Sequence, residues 1–322
     1  MIISEIYRGS GIGNQLWNYV VTRLIAESNG YEFGIQCPER WKGAKFMPVD
    51  LGKEVIGGSG PEGGPPISLP EGIEKYYVEK RINHPVNGWN MGFVDEDLLN
   101  VPDNTKIEGT MQKMKYIEKH RDKIKEWLTY DQTLDFPQFQ EDCCIIQFRG
   151  GDYLTGASAL PPEYYSMAMD WIRNISNDGN IKFYIVTDDP INAKKYIPDA
   201  EVIGSAITEE KDELQGSIGW YKYPGGPIGI DYSILNKAKY VIMSASTFCF
   251  WPVWLNDDAD VVISPKYWFD WNTSDGWWRP DDSIIDDWSY LDRSGNLTSG
   301  SDSKLEYEEY KNLYNIRNHQ NI

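Results

Sequence analysis

One arginine stands out for the chemistry that its position allows. Arg149 follows the apolar run Cys143–Phe148, which predicts a strand, and two glycines and Asp152 come directly after it. A guanidinium at the carboxyl end of a strand can hold a diphosphate through two parallel hydrogen bonds. The alternative is a plain turn in which the arginine pairs with a surface carboxylate, and the residues alone leave both interpretations open.

A glycine-rich turn follows the first predicted strand, residues 2–7. Its sequence, RGSGIGNQ, leads into apolar residues at helical spacing. Glycines such as Gly11 and Gly13 allow close approach of a ligand, and the N–H groups of a helix start attract an anion. A purely structural turn is the alternative. The spacing is not the G-x-G-x-x-G that nicotinamide dehydrogenases use.

Two further predicted strands end in polar residues. Asp188 and Asp189 precede Pro190, which favours a turn or a helix start over a metal site because the acids are not spaced as Asp-x-Asp. Ser246 and Thr247 precede an apolar helix. Helix capping is the default interpretation of these hydroxyls, and phosphate binding is the alternative.

The elements that position these residues alternate regularly after Cys143. Strands are predicted at 143–148, 181–187, 201–203, 240–244 and 260–263. Helices are predicted at 163–174, 191–196, 230–237 and 248–255. This order is typical of a parallel sheet with helices on both faces, and such sheets bind ligands outside the carboxyl ends of their strands.

A length of 322 residues predicts two domains. We expect an N-terminal Rossmann-like domain at 1–140, a nucleotide-binding domain at 141–300 and a C-terminal helix within 301–322. A charged helix predicted at 112–129 is suited to bridging the two domains. Residues 37–100 show no clear periodicity.

The net charge and the hydrophobic pattern of the chain exclude some classes of binding partner. A formal net charge of -18 repels nucleic acid and anionic membranes and tolerates a neutral glycan. No run of about 20 apolar residues exists, so we expect no stable membrane insertion. The four cysteines lack metal-ligand spacing and are predicted to be buried, reduced thiols in a cytoplasmic protein.

The motifs together resemble those of one family. GIGNQLWNYVVTRLIAESNGYEF is similar to the opening GLGNQMFQYALARYLAEKLGYE, FRGGDY to HxRRGDY, and FYIVTDDP to a strand that ends in FSDD. DYSILNKAKYVIMSASTFCFWPVWLN is similar to a segment that ends in N-S-S-F-S-W-W-G-A-W-L-N, and SPKYWF to the A-P-K-x-W-F after it. These motifs are those of the alpha-1,2-fucosyltransferases, glycosyltransferase family 11, within the fucosyltransferase superfamily.

The resemblance implies an α/β protein of GT-B type, in which two Rossmann-like domains face a cleft and the N-terminal domain takes the acceptor. It implies transfer of L-fucose from GDP-fucose to a glycan hydroxyl with inversion, in an alpha-1,2 linkage and without a metal or other cofactor. The donor-binding positions that it implies are Gly11, Gly13, Asn14, Gln147, Arg149, Asp231, Ser246, Thr247 and Phe248.

Within this set, Arg149 matches the arginine that holds the donor diphosphate, and Asp231 matches an aspartate that helps to hold guanine. Two departures leave alternatives open, because Gln147 replaces the family histidine and Gly150 replaces a second arginine. One alternative is a glycosyltransferase with a different nucleotide-sugar donor. The other is a catalytically weak protein that binds GDP or a glycan.

The catalytic hypothesis assigns leaving-group stabilisation to Arg149 and proton abstraction to Asp152. The alternative for Asp152 is that it pairs with a neighbouring group and only shapes the turn. Sugar rings pack on aromatic faces, so tryptophans near the C-terminus are candidates for the acceptor site, with core packing as their more usual use. These candidates are Trp268, Trp271, Trp277 and Trp278.

Overall fold

A computed structural model describes residues 1–58, 69–83, 90–92, 94–131, 143–156, 158–176, 179–207, 228–280 and 283–314. The chain forms two compact units. The first is Met1–Tyr130 with Pro280–Ser283, and the second is Asp131–Arg279 with Ile284–Ile322. Each unit has its own α/β sheet. The predicted boundary before Glu141 lies outside the described residues.

The first unit is built on a four-stranded parallel sheet of order β2-β1-β6-β3, with a separate antiparallel hairpin β4-β5. Its elements are β1 (Ile2–Glu5), α1 (Ile12–Ser28), β2 (Phe33–Gln36), β3 (Lys75–Val78), β4 (Arg81–Asn83), β5 (Asn90–Gly92), α2 (Glu96–Leu99), β6 (Thr105–Glu108), α3 (Met114–Ile117) and α4 (Arg121–Trp127). The strand–turn–helix–strand opening is confirmed. The strands and helix at 75–108 were not predicted.

Helix α1 covers one face of this sheet. The hydroxyl of Thr22 on α1 donates to that of Ser4 on β1 at 2.7 Å. The helix ends at the predicted stop, where Gly30 takes a φ of 72°, which glycine adopts most easily. The predicted helix at 112–129 is wrong as a single element, because the 3₁₀ turn Glu118–His120 separates α3 from α4 and both lie in the first unit.

The second unit is built on a seven-stranded sheet of order β13-β12-β11-β10-β7-β8-β9, in which only the β12–β13 pair is antiparallel. Its elements are β7 (Cys143–Phe148), α5 (Pro162–Ile175), β8 (Lys182–Thr187), α6 (Pro190–Tyr196), β9 (Glu201–Val202), α7 (Ile228–Asn236), β10 (Tyr240–Ile242), α8 (Thr247–Trp254), β11 (Val261–Pro265), β12 (Ser289–Leu291), β13 (Leu297–Ser299) and α9 (Gly300–Leu313). The five strands and four helices predicted after Cys143 are all present, with ends shifted by a few residues.

The central strand β7 is buried at all six positions, so both faces of the sheet are covered. Alternate residues of β7, Cys144, Ile146 and Phe148, join a core cluster with side chains of α5 and β8. The four cysteines of the chain are buried free thiols, as predicted. None of the helices among the described residues combines the length and apolar character that a bilayer crossing requires.

The strand order reverses beside β7. The chain runs from β7 to β8 and β9 toward one edge, then returns to place β10, β11 and β12 on the other side of β7. Connections from β7 and β10 therefore leave in opposite directions, which opens a crevice at their carboxyl ends. Arg149 follows β7 and Ser246 follows β10, so both lie at this crevice.

Candidate functional site

Arg149 is held at the crevice by two carboxylates. Its Nη2 lies 2.8 Å from Asp152 Oδ1, and its Nη1 contacts Asp188 at the end of β8. The guanidinium carbon also lies 5.0 Å from the ring centre of Tyr153. The Arg149 side chain remains 23% exposed. It is therefore ordered by ion pairs and still accessible to an incoming anion.

Asp152 pairs with a neighbouring group and shapes the turn, as the structural alternative for this residue predicts. About half of its side chain is exposed, and its carboxylate pairs with Arg149. Its backbone carbonyl accepts a 2.8 Å hydrogen bond from the hydroxyl of Thr155. The role of general base stays a prediction, and it requires that the carboxylate leave Arg149 when substrates bind.

The paired aspartates after β8 have different functions in the structure. Asp189 caps α6, because its Oδ1 accepts from the N–H of Asn192 at 3.1 Å, which confirms the helix-start interpretation. Asp188 instead faces Arg149 and accepts from the N–H of Gly150 at 2.9 Å. Burial raises the pKa of Asp188, against the effect of the Arg149 charge. The described residues contain no group of three His, Cys, Asp or Glu side chains suited to a metal.

The glycine at position 150 is enforced by its neighbour. A Cβ built on Gly150 would lie 2.3 Å from the Cβ of Asp189, a separation that real atoms do not adopt. Asp189 cannot easily withdraw, because it caps α6 and its Oδ2 also accepts from the side chain of Asn192 at 2.7 Å. The resembling motif has an arginine at this position. With Asp189 where it is, this chain has no space there for any side chain.

Gln147, where the resembling motif has a histidine, is a residue of β7, and its side chain reaches the segment after β10. It is buried, and its Oε1 accepts a hydrogen bond from the hydroxyl of Ser244. This bond links the two strands that border the crevice. The structure thus brings Gln147 to the predicted site, as part of its floor.

The start of α8 forms the other border of the crevice. Ser246 is the N-cap residue, but its hydroxyl caps none of the described N–H groups of the first turn. The capping interpretation is therefore wrong for the Ser246 side chain. Thr247 and Phe248 are half-buried. The N-terminal end of a helix carries partial positive charge, which suits it to a phosphate oxygen.

Asp231 on α7 is buried and hydrogen-bonded to a turn after β9. Its Oδ1 accepts from the N–H of Ser205 at 2.7 Å, and its Oδ2 accepts from the Ser205 hydroxyl. Burial raises the pKa of Asp231 to about 7, and the two bonds from Ser205 oppose this shift. The implied guanine contact stays a prediction. Ser205 was missed, because nothing near it in sequence marks it as a partner.

The predicted residues of the glycine-rich turn belong to the first unit. Gly11 is the exposed N-cap of α1, and Gly13 is buried in the first turn. Asn14 is exposed, and its Oδ1 accepts from Gln112 at 3.1 Å. Gln15 was not predicted to have a role, yet its buried side chain donates to the carbonyls of Ser10 and Arg40 and fixes the turn.

The four candidate acceptor tryptophans lie in the packed interior and are 1–4% exposed. The indole nitrogen of Trp271 donates to the carbonyl of Leu291 at 2.8 Å. Trp278 packs edge-on against Tyr290, with ring centres 5.0 Å apart. No ring face of Trp268, Trp271, Trp277 or Trp278 is available to stack on a sugar, so the structure corrects the acceptor prediction in favour of core packing.

The chain is similar in sequence to two glycosyltransferases of Escherichia coli. It is 26% identical over 220 residues to an alpha-1,2-colitosyltransferase, across 64% of this chain and 66% of that protein. It is 25% identical over 212 residues to the O-antigen biosynthesis glycosyltransferase WbnK, across 58% of this chain and 64% of that protein. The match therefore spans just under two thirds of each relative. No protein-family model matches the chain.

Among solved structures, NodZ alpha-1,6-fucosyltransferase co-crystallized with GDP aligns with 92% of this chain and 96% of its own, at 14% identity and a TM-score of 0.42. NodZ soaked with GDP-fucose aligns with the same 92% of this chain at 15% identity and the same TM-score. A TM-score of 0.42 is too low to establish a shared fold.

Proposed function

We propose that this protein is an inverting glycosyltransferase that transfers L-fucose from GDP-fucose to a hydroxyl of an acceptor glycan, in an alpha-1,2 linkage. The observation that carries the proposal is that Arg149 follows β7 and the start of α8 follows β10, the neighbouring strand, at the reversal of strand order. The family motifs and the two glycosyltransferases from Escherichia coli support the same class of reaction.

The site chemistry fits the departure of a diphosphate. In this reaction the bond from the anomeric carbon to the diphosphate breaks, and a bond from that carbon to the acceptor oxygen forms. Arg149 and the first N–H groups of α8 stabilise the charge that develops on the leaving group. Asp188 holds the guanidinium from the other side. A diphosphate that replaces Asp152 on Arg149 frees that carboxylate to accept the acceptor proton.

A second candidate function differs only in the donor. One relative transfers colitose in an alpha-1,2 linkage, and this chain carries Gln147 and Gly150 where the fucosyltransferase motif has a histidine and an arginine. Both positions border the donor crevice. We therefore retain GDP-colitose as the alternative donor to GDP-fucose.

The proposal is tested by donor hydrolysis and by removal of Arg149. We expect the wild-type protein to release GDP from GDP-fucose, or from GDP-colitose, and not from GDP-mannose, with EDTA present. Arg149→Ala should lower turnover about a hundredfold or more, as the loss of a charge-stabilising donor does elsewhere. The readout is free GDP over time.

Arg173→Ala is the matched control. Arg173 lies in the same unit and also pairs with an aspartate, Asp170, but it contacts Phe183 near the amino end of β8, away from the crevice. Near-normal turnover of Arg149→Ala would refute its catalytic role. GDP-dependent thermal stabilisation without turnover of any donor, with or without glycan acceptors, would identify a binding protein instead.

A further inference from the structure

The first unit carries polar groups on one sheet face at the carboxyl ends of its strands. Lys106 on β6 is in register with Ile3 on β1 and with Tyr76 on β3. Side chains alternate along a strand, so Glu5, two residues after Ile3, and Glu108, two residues after Lys106, lie on the same face. This face is opposite to the one that α1 covers through Ser4.

The floor of this face is a fully buried ion pair. The Nζ of Lys106 lies 2.7 Å from Glu5 Oε2, and neither side chain is exposed. Arg40 adds a contact of 3.5 Å to Glu5 Oε1. The neighbouring Gln36 amide is buried, and no described group hydrogen-bonds to it. The floor is therefore polar, and the charge of Lys106 is already neutralised.

Beside this ion pair, two tyrosines and one carboxylate form what we call the rim, which consists of Tyr7, Tyr76 and Glu108. Tyr76 is 45% exposed, and its hydroxyl donates to the half-buried Glu108. Tyr7, which follows β1, is also half-buried. Burial raises the pKa of both tyrosines and their proximity to Glu108 adds to the shift, so both hydroxyls keep their protons. The exposed ring of Tyr76, beside hydrogen-bonding groups, suits a ligand with both C–H faces and hydroxyls.

We propose that Tyr7, Tyr76 and Glu108 form a binding subsite for a neutral pyranose of the acceptor, an inference that rests on the proposed function. The exposed Tyr76 ring packs on the sugar, the half-buried Tyr7 borders it, and Glu108 accepts hydrogen bonds from the sugar hydroxyls. The carboxylate excludes acidic sugars by repulsion, in line with the net charge of -18. The subsite replaces the buried tryptophans as the place for acceptor recognition.

Binding of simple sugars tests the subsite without catalysis. Saturation-transfer NMR on the full chain would use methyl β-galactopyranoside, methyl β-glucopyranoside and methyl β-glucuronide at millimolar concentration. We expect at least one neutral pyranoside to bind and the glucuronide not to bind. Tyr76→Ala and Glu108→Gln should each weaken binding about tenfold, the equivalent of about 1.4 kcal/mol.

Tyr77→Phe is the matched control on the same strand. The hydroxyl of Tyr77 also bonds to a carboxylate, that of Asp95, but it points to the opposite face of β3. Retained binding in this variant and loss in Tyr76→Ala and Glu108→Gln would support the subsite. The proposal is overturned if no neutral pyranoside binds, if the two rim variants bind normally, or if Tyr77→Phe loses binding equally.

The proposed function is judged by a separate readout on the same preparation. Thermal stabilisation of the wild-type protein by GDP reports on the crevice of the second unit. A protein that binds pyranosides and not GDP would contradict the donor site and leave the subsite standing. One that binds GDP and no pyranoside would contradict the subsite alone.

Discussion

In each of the two sheets a cation on or just after one strand pairs with a carboxylate on or just after a neighbouring strand, but the two pairs are buried to different extents. In the second unit, Arg149 and Asp188 are each about one quarter exposed. In the first unit, Lys106 and Glu5 are fully buried. The types of charge are alike, and the access of water differs. A ligand can therefore reach the pair in the second unit, whereas the pair in the first unit only stabilises the sheet.

The physical reason lies in desolvation. The second carboxylate on Arg149, that of Asp152, is 48% exposed, and an ion pair that water and salt can screen gains little, about 0–1 kcal/mol. A diphosphate can then exchange with a carboxylate on Arg149 at small cost. A buried pair has already lost its hydration, so removal of one partner leaves an uncompensated charge in a medium of low dielectric constant. Lys106 and Glu5 are therefore unsuited to ligand exchange.

The largest expected effect comes from breaking the buried pair. Lys106→Met removes the closest described cation from Glu5 and should destabilise the protein by about 3–5 kcal/mol. The measurement is the free energy of unfolding from urea denaturation, monitored by tryptophan fluorescence.

Two variants sharpen this result. The double variant Glu5→Leu with Lys106→Met removes both charges and should recover most of the lost stability. Lys80→Met removes one partner of an exposed pair with Asp97 and should change stability by less than about 1 kcal/mol. A Lys106→Met protein as stable as the wild type would contradict the assignment of a structural role.

A smaller effect is expected at the partly buried pair of the second unit, where the backbone beside Arg149 has no space for a side chain. In Gly150→Ala the new methyl group meets the Cβ of Asp189, and either the loop or the cap of α6 must move. We expect destabilisation of about 1–3 kcal/mol and a fall in turnover, because Arg149 is adjacent. Denaturation and GDP release on the same preparation measure both.

Gly156→Ala is the control for this change. Gly156 ends the same loop, and its nearest neighbour to an added Cβ is the Tyr153 carbonyl at 3.7 Å, an ordinary contact. The variant should behave as the wild type does. Equal losses in both variants would mean that the loop as a whole is sensitive, and would remove the specific role of Asp189.

The sequence predicted the second unit better than the first, for a physical reason. Strand β7 is an uninterrupted apolar run, and Pro162 and Pro190 mark the starts of α5 and α6, so local pattern and tertiary burial agree there. The strands β3, β12 and β13 are only three or four residues long. Strand β3 pairs with β6, β12 with β11 and β13 with β12, and these pairings, more than any local sequence pattern, make them strands.

The candidate site shows the same division. The motifs predicted that Arg149, Gln147 and Ser246 lie near one crevice, because residues at or after the carboxyl ends of neighbouring parallel strands meet at one edge of the sheet. The bond from Ser205 to Asp231 joins residues 26 positions apart, and no local pattern encodes it. The tryptophan prediction failed because residue type predicts neither burial nor the face that a ring presents.

Asp231 provides a test that varies pH, because it is buried as Glu5 is and no described cation pairs with it. Burial raises its pKa from 3.8 to about 7, and the charge of Asp188 adds to this. Between these values the folded state keeps a proton that the unfolded state has released. Wild-type stability should therefore fall as pH rises through this window, by about 1 kcal/mol per pH unit from this group, and level off above it.

Asp231→Asn retains an acceptor for the Ser205 N–H and does not titrate. The difference in unfolding free energy between the two proteins, measured from about pH 4 to pH 8, should follow this slope, whereas parallel curves would show that Asp231 is ionised in the fold and that hydrogen bonds alone compensate a buried carboxylate here.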